Sequence, residues 1–244
     1  MGAILLGILF SCTTSIILYK WIKNKQDNET YKNLCKKSLK NGILTIFLVI
    51  LFSGALSILG YIVRFSLIVT KVGINELLYQ AYYTFIGLAL GEEISKFLAF
   101  KWLLKKNPHK YSWFELTVFM TIVGIGFGII ENITFSLGTD PISMLLKGIS
   151  IGHAGYGFIM GWFYGKMIKT GKKIYGFLGF IMSWLLHGLF DFGLSEELLK
   201  INDDFAFISL LLELVCIITV FVIIHFIRKN HKSEKYNEPL EKYA

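Results

Sequence analysis

Charge is what this sequence has least of. Only 17% of its 244 residues are Asp, Glu, Lys or Arg, against 54% hydrophobic and 16% aromatic. Mean hydropathy is +0.58. A soluble domain of this length would carry more charge on its surface, so that class is set aside. Cysteine is equally scarce. Cys12 and Cys216 fall in apolar runs and Cys35 stands among lysines. There is no CxxC pair and no basis for a disulfide framework. Short segments of alternating hydropathy are missing, which excludes a transmembrane barrel. No HExxH occurs, so a standard zinc-protease helix is absent. No repeat, low-complexity tract or soluble domain is visible. The longest polar pieces are 20–41 and the tail from Arg228.

What remains is a series of apolar runs, each long enough to span about 30 Å. The expected fold is an all-α integral membrane protein, one polytopic domain over 1–244. About seven spans are read at 3–19, 42–63, 79–104, 114–137, 144–168, 174–194 and 205–227. Leu9-Phe10-Ser11-Cys12 faintly resembles a lipoprotein cleavage box. No basic residue precedes that run, which continues to Trp21, so it is taken as an uncleaved span. Met1-Gly2 lacks the Ser or Thr at position 6 that a myristoylation signal needs.

The net charge of +8 could suggest a nucleic-acid partner, but its distribution argues for none. Lys20, Lys23, Lys25, Lys32, Lys36, Lys37 and Lys40 lie between spans one and two. Lys105, Lys106 and Lys110 lie between three and four, and Lys166, Lys169, Lys172 and Lys173 between five and six. Arg228, Lys229, Lys232 and Lys235 follow span seven. The alternate loops hold Arg64 and Lys71, then Asp140, then Glu196, Glu197, Asp203 and Asp204. The positive-inside rule then puts the N-terminus outside and the C-terminus in the cytoplasm.

Against this apolar background the internal charges stand out. Gly91-Glu92-Glu93-Ile94-Ser95-Lys96 places two carboxyls and an ammonium in the middle of span three. Each charge at the centre of a spanning helix costs about 2.5–3.5 kcal/mol on insertion scales. Glu92 and Lys96 are four apart and stack on one face, and Glu93 lies about 100° around. An ion pair of Glu92 with Lys96 is the simplest structural use of the pair, although Lys96 is three residues from Glu93 and within reach of both. Span four carries Glu131 and Asn132, with Gly124, Gly128 and Glu131 on one face. Small residues admit a neighbouring helix there. Span five carries His153 beside a small-residue row of Gly157, Gly161 and Gly165. Span six carries His187 and Asp191, one turn apart, where a carboxylate can fix an imidazole or support it as a metal ligand.

Depth brings these together. At 1.5 Å per residue, His153 and His187 lie within about 5 Å of mid-span, and Glu131 and Asp191 about 8–11 Å outward. Helices over 79–194 thus share one polar slab, with 3–63 and 205–227 as scaffold. No Ser/Lys or Cys/His pair accompanies it, so water activation is expected rather than a covalent nucleophile. Glu92 or Glu93 would take a proton from water, and His153 or His187 would stabilise the oxyanion. The same side chains could instead hold a divalent metal such as zinc, with Glu93, Glu131, His153 and His187 as candidate ligands.

Four segments together resemble the PrsW family of bacterial intramembrane proteases, part of the wider group with CAAX prenyl endopeptidases and immunity-type membrane proteins. They are Glu92-Glu93-Ile94-Ser95-Lys96, Gly128-Ile129-Ile130-Glu131-Asn132, Gly152-His153 running to Met160-Gly161, and His187-Gly188-Leu189-Phe190-Asp191-Phe192. The resemblance implies that Glu92, Glu93, Lys96, Glu131, His153, His187 and Asp191 occupy the family's motif positions, with Asn132 in support. It implies site-one cleavage of a membrane-spanning anti-sigma factor on its extracytoplasmic side, in the bacterial plasma membrane. The CAAX branch has arginine four residues after the second glutamate. Phe97 stands there in this chain, which argues against prenyl-protein processing. Two other classes use buried Glu, His and Asp. A proton-coupled transporter would show an inverted repeat, and none is seen. A non-catalytic immunity-type protein would keep the fold without the chemistry.

Overall fold

The computed structural model describes residues 2–24, 28–70, 75–105, 107–136, 152–202 and 204–229, together with Pro239. The start of span five at Met144, the end of span four at Leu137, and Lys25, Lys71, Lys106, Asp140, Asp203, Lys232 and Lys235 lie outside them. The described chain is helical: α1 (Gly2–Lys23), α2 (Glu29–Val69), α3 (Glu76–Tyr82), a π-helical stretch (Tyr83–Leu90), α4 (Gly91–Leu104), α5 (Trp113–Ser136), α6 (Gly152–Thr170), α7 (Lys173–Gly193), the single turn α8 (Glu196–Leu199) and α9 (Asp204–Lys229). No strand occurs among the described residues.

Local chemistry starts these helices where the sequence allows it. Asn28 caps α2 by accepting from the amides of Thr30 and Tyr31. Ser112 and Glu115 form a capping box on α5, each side chain accepting the other's backbone N–H. Gly171, at φ +69°, ends α6 in the left-handed region that a glycine adopts without strain.

Among the described residues, three helices are long and apolar enough to cross a membrane: Glu29–Val69, Trp113–Thr134 and Lys173–Gly193. They play different parts. In α5, 83% of the apolar window is buried inside the protein, against 17% in α2 and 28% in α7. Helix α5 is therefore the central pillar, packed chiefly on α6 and α2, with α1 and α4 beside it. Its Thr117 and Thr121 hydroxyls donate to carbonyls one turn back, which lets them sit in the core. Large apolar side chains on α2, such as Phe47, Leu51 and Phe65, are more than 60% exposed. Such a continuous outward apolar face suits lipid contact.

Two expectations are revised. The polar piece 20–41 is helical from Glu29, because Tyr31, Cys35 and Ser38 form a buried edge on an otherwise charged helix. Span three is not one regular helix. The π-helical turn over Tyr83–Leu90 precedes the glutamate doublet, and neighbours satisfy its carbonyls: Trp184 Nε1 donates to Phe85 O at 2.7 Å and Ser53 Oγ to Leu88 O at 3.2 Å. The small-residue rows pack as expected. A methyl added at Gly157 would meet Met120 O at 2.6 Å, and one at Gly161 would meet Thr117 Cα at 2.9 Å. That close approach brings α6 against α5 along its length.

Candidate active site

The first turn of α4 follows directly on the π-helical stretch and carries Glu92 and Glu93 into the protein interior. Glu93 and Lys96 have no exposed surface at all. Lys96 Nζ donates to Glu93 Oε1 at 2.5 Å, three residues back on the same helix. The Glu92–Lys96 pairing that i,i+4 spacing suggests is thus replaced by Glu93–Lys96. Lys96 Nζ is also 3.0 Å from His153 Nδ1 and 4.8 Å from the centre of the Phe127 ring. An ammonium only donates. His153 Nδ1 therefore accepts, and the ring hydrogen sits on Nε2, aimed at Glu131 Oε2 2.5 Å away.

A second chain of contacts runs from Glu93 the other way. Glu93 Oε1 accepts from His187 Nδ1 at 2.8 Å. This turns His187 Nε2 toward Asp191 Oδ2 at 3.3 Å and Glu92 Oε2 at 3.6 Å. One carboxylate thus organises both histidines, the first through Lys96 and the second directly. The two imidazoles meet edge to face with centroids 5.0 Å apart.

All seven motif side chains, Glu92, Glu93, Lys96, Glu131, His153, His187 and Asp191, meet in this one cluster. Asn132, next to Glu131, is buried. Side-chain exposure rises across the cluster. It is 0% at Glu93 and Lys96, 3% at His187, 11% at Glu92, 15% at His153, 20% at Asp191 and 25% at Glu131. The lysine end is sealed and the Glu131–Asp191 end is open.

The spans create this closeness through glycine. A Cβ on Gly124 would run into the carbonyl of His153, and one on Gly128 would touch the His153 ring at 3.4 Å. These glycines of α5 make room for the start of α6. Tyr156 also belongs to the site and sequence reasoning did not single it out. Its buried ring stacks on His187 with centroids 5.0 Å apart and planes 19° apart. It follows His153 by three residues, hence on the same face, which is a faint signal among many aromatics. The π-helical turn left no readable trace in the sequence.

Residues 42–225 match the model of the PrsW family of intramembrane metalloproteases. The chain belongs to that family. No curated protein and no solved structure gives a match. This PrsW-family protein is therefore a membrane-embedded protease whose substrate is met within or at the bilayer.

The donor set of the PrsW-family protein fits a divalent metal. Glu92, His153 and His187 each offer one ligand atom, all within 4.8 Å of one another. Glu92 Oε2 is buried and has no hydrogen-bond partner. His187 Nε2 faces two carboxylates, and its other nitrogen is held by Glu93, the kind of anchor that fixes the ring of a metal-bound imidazole. The carboxyls of Glu92, Glu93, Glu131 and Asp191 converge here against one ammonium, an imbalance that a divalent cation relieves. The metal-ligand set expected from sequence contained Glu93, Glu131, His153 and His187. The geometry groups Glu92 with the two histidines, because Glu93 Oε1 is already shared by Lys96 and His187. Glu93 Oε2 also lacks a hydrogen-bond partner, but it sits at the sealed end.

Proposed function

We propose that this protease hydrolyses one peptide bond of a single-span, membrane-anchored protein near the extracytoplasmic face of a bacterial cell membrane. The family resemblance supports an anti-sigma factor as that substrate and site-one cleavage as the step. Seven spans form one polytopic unit, with the N-terminus outside, the C-terminus cytoplasmic, the site carried between 79 and 194, and helices over 3–63 and 205–227 as scaffold. The alternation of lysine-rich and lysine-poor loops supports that orientation. The open Glu131–Asp191 end of the cluster would then face outward.

The single observation that carries the mechanism is the convergence of one ligand atom each from Glu92, His153 and His187 within 4.8 Å of one another. Glu92, His187 and, on release of its Nε2 proton, His153 would hold the cation, which would supply Lewis-acid polarisation of the scissile carbonyl. Glu131, the most exposed carboxyl of the cluster, takes a proton from water as the water oxygen adds to the carbonyl carbon. It then returns that proton to the departing amide nitrogen, and the C–N bond breaks. Glu93 orients His187 through Nδ1, and Lys96 holds Glu93 and His153 in register. The sealed lysine end keeps bulk water from that side of the site. A second reading rests on the partnerless Glu92 Oε2 alone: Glu92 accepts the proton itself, and His153 and His187 stabilise the oxyanion.

Reconstitution decides between protease and carrier. The protein is placed in liposomes with a single-span substrate bearing an extracytoplasmic stub, beside the Glu92→Gln and His187→Ala variants. Wild type should cut the stub and both variants should lose the activity. Absence of cutting together with ion flux that Glu92→Gln abolishes would establish a transporter instead. Chelation followed by metal add-back separates the two mechanisms.

A further inference from the structure

Away from the acid–histidine cluster, a cavity of about 510 Å³ opens between the lysine-rich ends of α4, α6 and α7. Its walls divide into two chemically distinct parts. Phe97, Met167, Ile168, Phe177 and Phe180 make an apolar slot. Lys101, His109 and Lys173 stand around it, and among the described residues no Asp or Glu lines it. Lys101 Nζ lies 3.4 Å from the Tyr164 hydroxyl and 5.5 Å from the centre of that ring. None of the three basic side chains has a carboxylate partner among the described residues. His109 adds an independent mark: its Nδ1 is buried and has no hydrogen-bond partner.

The contrast with the cavity at the other end of the bundle is informative. There, a groove of about 600 Å³ between α2 and α3 has Arg64 on its wall, and Arg64 is neutralised by Glu76 at 3.0 Å. The lysine-end cavity has the opposite character, with its positive charges uncompensated. A ligand that satisfies both halves needs a negative group with several acceptor oxygens and a long apolar tail. A free anion would leave the phenylalanine slot unfilled, and a neutral lipid would leave the cations unpaired. Lysines and arginines near a membrane surface favour anionic lipid, and basic pockets between spanning helices take such headgroups.

We propose that this cavity is a binding site for an anionic phospholipid. The phosphate lies among Lys101, His109 and Lys173, and one acyl chain runs along Phe97, Phe177 and Phe180. Because Phe97 directly follows Lys96 on α4, an occupied cavity braces the helix that carries the glutamate doublet.

The test uses the full chain purified in mild detergent and stripped of lipid. Dioleoyl-phosphatidylglycerol or dioleoyl-phosphatidylcholine is added, and bound lipid is counted by native mass spectrometry. Phosphatidylglycerol should be retained preferentially. Each lysine removed should lower its retention roughly fivefold, so that Lys101→Ala/Lys173→Ala lowers it about 25-fold. A control pair on the exposed edge of α2, Lys36→Ala/Lys40→Ala, should change retention less than about twofold, because those lysines stand outside the cavity. Equal retention of the two lipids overturns the proposal. So does an unchanged affinity in the cavity pair, or an equal loss in the control pair. Complete displacement of phosphatidylglycerol by inorganic phosphate would show a free-phosphate site and would also overturn it.

Discussion

Lys96 Nζ lies 2.5 Å from Glu93 Oε1, while Glu92 Oε2, one residue earlier in the chain, is buried with no hydrogen-bond partner. The doublet is therefore two different groups. Glu93 ties Lys96 to His187 Nδ1, and Glu92 Oε2 lies 3.6 Å from His187 Nε2.

That asymmetry predicts different failures for the two glutamines. Glu92→Gln should abolish cleavage and leave the denaturation midpoint in detergent close to wild type. Glu93→Gln should abolish cleavage and also cost about 3–5 kcal/mol, because it leaves the Lys96 ammonium buried and unpaired. Restoring much of that loss with Lys96→Met in the Glu93→Gln background would confirm the coupling. Thermal melts showing Glu92→Gln as the unstable variant would reverse the assignment.

Metal content gives a second prediction. Purified protein should hold close to one divalent ion per chain, measured by elemental analysis. Glu92→Gln, His153→Ala and His187→Ala should each lose most of it. Glu93→Gln should weaken the affinity about 10- to 100-fold, because it releases the Nδ1 side of His187. Full retention of metal in Glu92→Gln would remove that residue from the ligand set.

Tyr156 should act through its ring. Tyr156→Phe keeps the stack on His187 and should leave kcat within about threefold, whereas Tyr156→Leu should lower kcat about 10- to 100-fold with KM little changed. If Phe and Leu are equally damaging, the hydroxyl and not the stack is what the site uses.

Glycine substitutions test the packing. Gly124→Ala drives a methyl into the carbonyl of His153 and should cost about 1–3 kcal/mol while displacing His153 and lowering cleavage. Gly54→Ala on α2 meets nothing within 4 Å and should stabilise by about 0.5–1 kcal/mol with cleavage unchanged. Melting curves and cleavage rates of both variants, side by side, check this.

Much of the architecture follows from one-dimensional arguments. An apolar run must become a helix, because a bilayer leaves backbone groups no other partner. Helix rise then sets the depth of each ionisable residue, so Glu92, Glu131, His153 and His187 could be assigned to one slab before any contact was known. The glycines at 124 and 128 were legible as a packing face because small residues mean close approach in any helix pair. Three things were beyond such arguments. The π-helical turn depends on donors from Trp184 and Ser53, which are distant in sequence. The stack of Tyr156 on His187 depends on how α6 crosses α7. The choice between Glu92 and Glu93 as the partner of Lys96 is not local either, since positions three and four apart are equally within reach of a lysine. It is decided where His187 reaches Glu93 Oε1 from one side and His153 draws Lys96 from the other. The sequence by itself assigned seven polar side chains to one slab running from mid-span toward one end of four helices. Only the tertiary structure sorted them into a sealed ionic anchor and an open group of acceptors, because burial and hydrogen bonding across four helices select one pairing among several of nearly equal local energy.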